Sequence, residues 1–146
     1  MNRRRLILCL ASVVALPGVA LAEDKPHRLV LQISDADPSK MREVLDVAAN
    51  VSRYYSGMGQ DVEVVVISFG AGIDMVLTGR SPVEERMSNF IKGMPNVSFK
   101  ACGNTLNTLE RKEGRMPKLM EDVDIVPTGV AAIMEYAEKG WTIVRP

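Results

Sequence analysis

The sequence predicts an α/β domain built on a mostly parallel five-stranded sheet, and three observations carry that prediction. Short β-rich runs alternate with segments of helical period from residue 28 to the end. The connections between them are too short for anything but local crossovers, and the run VEVVVISF at residues 62–69 is almost continuously β-branched or apolar, as in a strand covered on both faces.

The elements follow in order. RLVLQIS at residues 28–34 is the first strand, closed by the turn formers Asp35, Asp37 and Pro38. From Ser39 the period changes: Met41, Val44, Leu45, Ala48, Val51 and Tyr55 fall on one helical face, which Gly57 and Gly59 end. After the second strand, Gly70-Ala71-Gly72 leads into short helical turns over IDMVL. Ser81 as N-cap, Pro82 and Glu84 predict the next helix start, and Gly93 its stop. NVSFKA at 96–101 is the third strand, 104–112 a helix, VDIVP from Val123 the fourth strand, 128–139 a helix, and WTIVR the last strand.

Residues 1–22 read differently. Arg3, Arg4 and Arg5 precede an apolar run over 6–16, and Ala20-Leu21-Ala22 supplies the small residues of a signal-peptidase cut, so a cleaved export signal and a periplasmic product are expected. The run is too short to span a bilayer. The three arginines also suit a twin-arginine route, which leaves the export pathway open. Residues 23–27 read as a flexible lead-in, and 28–146 as one domain. The leader carries three of the 18 basic residues and none of the 18 acidic ones, leaving 15 basic against 18 acidic. That balance gives no footprint for nucleic acid. No second apolar run predicts a membrane span.

Cleavage removes Cys9 and leaves Cys102 as the only cysteine. An unpaired cysteine in an exported protein is a reactive thiol, a site of intermolecular pairing, or a small packed hydrophobe. Gly103, Asn104 and Thr105 follow it, then Leu106 and Leu109 at helical spacing. Cys102 thus stands just ahead of a helix start, where Asn104 or Thr105 can cap, Gly103 lets the backbone turn, and free N–H groups favour a thiolate. With the common strand order 2-1-3-4-5, the ligand crevice lies between strands 1 and 3, which places Cys102 opposite Ser34 and Asp35, with Gly70 at the pocket mouth.

Other groups point to simpler roles. Gly70-Ala71-Gly72 lacks both the third glycine of a dinucleotide fingerprint and a P-loop GK[ST]. His27, the single histidine, has no partner for a triad, and one Cys and one His far apart make a poor zinc set, so no cofactor and no metal are expected. The methionines are scattered rather than clustered for copper, and Met41 and Met134 fall on helical core stripes. Arg111, Lys112, Arg115 and Lys118 read as a solvated helix end, and Glu121, Asp122 and Asp124 as an exposed acidic turn.

FKACGNTL, followed by VDIVPTGVAAIMEYAEKGW, resembles the DsrE/DsrF-like proteins, particularly their exported single-chain branch. The resemblance covers about residues 28–144. It implies a flavodoxin-like three-layer sandwich, assembly into a homo-oligomer (trimer or hexamer), and sulfur relay. In that chemistry a cysteine after the third strand, here Cys102, holds sulfur as a persulfide between a donor and an acceptor protein. The alternative is a non-catalytic binding or assembly module with Cys102 inert and packed. Disulfide exchange is weaker, since there is no CxxC and no resolving cysteine.

Overall fold

The computed structural model describes residues 25–146, so the proposed leader, with Cys9, lies outside the described residues. The ten elements run β1 (His27–Ile33), α1 (Pro38–Gly57), β2 (Val62–Ser68), a 3-10 helix (Gly70–Val76), α2 (Glu84–Gly93), β3 (Val97–Cys102), α3 (Gly103–Glu113), β4 (Val123–Val126), α4 (Gly129–Glu138) and β5 (Thr142–Val144). All strand pairs are parallel, in the order β4-β3-β2-β1-β5. The chain is therefore a flavodoxin-like three-layer α/β/α sandwich with an all-parallel sheet.

The strand order corrects the expected 2-1-3-4-5. β2 lies between β1 and β3, so Cys102 does not face the end of β1 across a shared crevice. Apolar periodicity marks which segments are strands but carries no information on which strands are neighbours.

The order determines the layers. The steps from β1 to β4 all move one way across the sheet, so right-handed crossovers place α1, α2 and α3 on one face. The return from β4 to β5 runs the other way and places α4 on the opposite face. The two cores match this. Leu31, Val66, Phe99 and Ala101 pack under Met41, Leu45, Met87 and Leu106, whereas Val30, Val65 and Ile67 pack under Ala132 with Ile133, Tyr136 and Trp141.

Several boundaries differ from the sequence reading for local reasons. His27 belongs to β1 rather than to a flexible lead-in: it pairs with Val62, its N–H donates to the Asp61 carbonyl at 2.9 Å, and its ring stacks on Tyr55. Asp37 is the α1 N-cap, accepting from the Ser39 N–H at 2.7 Å, with Pro38 at the first position. Ser81 does not cap α2. Its Oγ accepts from the Val83 N–H within a turn at 3.3 Å, α2 starts at Glu84, and Glu84 instead accepts from the Gly79 N–H at 2.8 Å. Met134 is exposed rather than core, because the small residues Gly129 and Ala132 form the buried side of α4.

Candidate functional site at the end of the third strand

Cys102 is both the last residue of β3 and the N-cap of α3, a role in which its side chain makes no cap bond. Neither Asn104 nor Thr105 caps that helix, as the sequence had suggested, since both lie inside its first turn. Gly103 has no left-handed backbone either. It permits a close approach: a Cβ there would lie 3.2 Å from the Val126 carbonyl oxygen and 3.3 Å from that of Pro127.

Ligand sites of open parallel sheets form where neighbouring strands send their chains to opposite faces. Here that happens at β3 and β4, whose chains continue into α3 on one face and α4 on the other. Cys102 pairs with Val126 at this fork. The cysteine is at a switch point after all, but at one formed with β4.

The fork brings two helix N-termini to one sulfur. The Gly129 N–H, at the start of α4, donates to Cys102 Sγ at 3.2 Å. The α3 first turn makes no cap bond to the sulfur, but it places the Thr105 hydroxyl and the N–H groups of Thr105 and Asn104 close enough to favour the thiolate. Burial, the largest single influence on the thiol, raises its pKa. The Gly129 bond and the nearby polar groups of Thr105 and Asn104 together outweigh it and hold the pKa below the ordinary thiol value. Cys102 is 5% exposed, so the group is anion-favouring yet close to covered.

Gly129 did not figure among the sequence-derived site residues. A Cβ there would lie 3.1 Å from Phe69 Cβ and 3.3 Å from Cys102 Cβ, so a side chain would push α4 off the thiol. The signal was a Thr-Gly at a strand-to-helix junction, and its meaning depended on knowing that β4 neighbours β3. Asn104 fixes the same junction: its N–H donates to the Pro127 carbonyl at 3.2 Å and its Nδ2 to Thr128 Oγ1 at 3.2 Å.

The remaining predicted residues divide. Gly70 joins the site, because its N–H donates to Thr105 Oγ1 at 3.1 Å, and it sits at φ +55° beside Ser34, whose carbonyl oxygen is 3.7 Å from a Cβ built there. Ser34 is thereby linked to Cys102 only through Gly70 and Thr105. Asp35 turns to Arg145, 3.6 Å away in an exposed ion pair, and takes no part. A surface cavity of about 590 Å³ lies elsewhere, lined by Ser52, Arg53, Gln60, Asp61 and Asn96, and does not include Cys102. Among the described residues no group of three or more His, Cys, Asp or Glu could hold a metal ion, and no helix is long and apolar enough to cross a membrane.

Thr105→Val tests the bonding account. It removes the hydroxyl that serves both Gly70 and the thiol, so the Cys102 pKa should rise and the pH profile of its alkylation should move to higher pH. Loss of the Gly70 partner, an exposed bond, should cost only about 0.5–1 kcal/mol of stability in denaturant titration.

No known protein family's sequence profile matches the chain, and no curated protein matches it. Among solved structures it is similar to a protein of unknown function from Methanobacterium thermoautotrophicum, at 29% identity and a TM-score of 0.65, over 82% of this chain and 99% of that one. The likeness extends over nearly the whole of that protein and supports the fold.

Proposed function

We propose that the protein is a sulfur carrier that accepts sulfane sulfur on Cys102 as a persulfide and passes it to an acceptor thiol. The observation that supports this most is the position of Cys102 where two helix starts meet, as N-cap of α3 with its sulfur accepting from the first N–H of α4. A thiolate is the attacking form in sulfur exchange, and a terminal persulfide anion gains from the same donors. The resemblance of FKACGNTL and VDIVPTGV to the DsrE/DsrF-like proteins points the same way. Export to the periplasm through residues 1–22 belongs to the same proposal.

Assembly into a trimer or hexamer is also part of it. Ile125, Val130 and Met134 are each more than half exposed on β4 and α4, and apolar side chains left in water near one edge of a sheet suit burial by a second copy.

The near-complete burial of Cys102 favours one rival, a binding module in which the thiol is only packed. Intact mass of the signal-free protein before and after incubation with polysulfide or thiosulfate separates the two. A carrier gains whole sulfur atoms that reductant removes. A protein whose reduced thiol gains none is not a carrier for these donors.

A further inference from the structure

Lys100 stands two residues before Cys102 on β3, so both side chains leave the same face of the sheet, with Cα atoms about 6.6 Å apart by strand geometry. Lys100 pairs in register with Ile67 and Asp124, and Ile67 belongs to the apolar floor under α4. Lysine is seldom placed on a covered sheet face, because its ammonium loses water there. This one is only 17% exposed, while Asp124, which its Nζ meets at 2.9 Å, is 71% exposed. The lysine side chain is thus largely covered along its length, while the carboxylate that meets its ammonium stands in water. An ordinary surface pair leaves both partners in water.

We propose that Lys100 is a positioning residue that selects anionic sulfur donors for Cys102. This rests on the reading of Cys102 as a sulfur acceptor. With thiosulfate as donor, the Cys102 thiolate attacks the outer sulfur. A new Sγ–S bond forms, the S–S bond of thiosulfate breaks, and its electron pair leaves with sulfite. A thiolate and a dianion give a persulfide anion and a dianion, so no proton or oxidant is needed. The reactants repel each other, and a cation within reach of a four-carbon stem offsets that repulsion and stays beside the departing sulfite.

The test compares alkylation of native Cys102 by anionic iodoacetate and neutral iodoacetamide, two reagents that need no sulfur chemistry. Lys100→Met should lower the iodoacetate-to-iodoacetamide rate ratio roughly fivefold, with the iodoacetamide rate nearly unchanged. Lys100→Arg should restore the ratio. Asp124→Asn, at an exposed position, should raise it and carries the test if Lys100→Met does not fold. A ratio unmoved by these substitutions overturns the role of Lys100 even if sulfur loading is observed. A lowered ratio in Lys100→Met, in a protein that loads no sulfur, supports the electrostatic role of Lys100 and removes the carrier reading instead. A native thiol inert to both reagents overturns both.

Discussion

Gly72→Ala is expected to destabilise the fold by about 3 kcal/mol or more. A Cβ at this position would lie 2.5 Å from the Ile33 carbonyl oxygen, 2.6 Å from its carbon and 2.9 Å from Ser34 Cα. All three are backbone atoms at the end of β1, so no side-chain rotation relieves the overlap. Relief requires the 3-10 segment Gly70–Val76 to lift, which withdraws Ile73, Met75 and Val76 from the core. Gly79→Ala is the control. Gly79 has φ +75° and nothing within 4 Å of its Cβ position, so alanine there should cost only about 1 kcal/mol, from backbone strain. Urea midpoints of the two variants should therefore separate clearly. A Gly72→Ala protein as stable as Gly79→Ala would mean that β1 and the 3-10 helix do not pack as described. The effect reaches the site as well, since lifting Gly70 removes the N–H that holds Thr105.

Cys102→Ser should abolish sulfur loading completely while leaving the fold intact. Serine keeps a small acceptor for the Gly129 N–H but has no thiolate to attack a sulfur donor. The same substitution reports on stability through linkage. The folded-state thiol pKa is lowered, so the thiolate's contribution to stability is fully present above the unfolded value of about 8.5. It is lost as pH falls through the folded-state value. The wild-type protein should therefore gain stability over Cys102→Ser as pH rises through that window. Loading that survives the substitution would place the sulfur elsewhere.

The sequence made the alternation of strands and helices legible because each strand is a β-rich run and each helix except α4 presents a consistent buried stripe. Val62, Val64, Val65, Val66 and Ile67 announced a strand covered on both faces, and both faces are covered. The position of Cys102 at a strand-to-helix junction was equally plain. Strand order was not, since it is set by which crossovers pack rather than by any periodicity. Hence Gly129, 27 residues from Cys102 and bonded to it only because β4 lies beside β3, could not be found by spacing. Met134 misled for a related reason: its spacing suits a core stripe, but α4, the one helix on its face of the sheet among the described residues, packs through its small residues.

The most direct test of the central claim, that two helix starts and Thr105 make Cys102 a nucleophile, is the pH dependence of alkylation of the native thiol by iodoacetamide. A single titration is expected, with its midpoint below the ordinary thiol value and a rate that plateaus above it. A thiol that reacts only on unfolding, or whose midpoint lies at or above that of an ordinary cysteine, would contradict the account and leave Cys102 a packed residue.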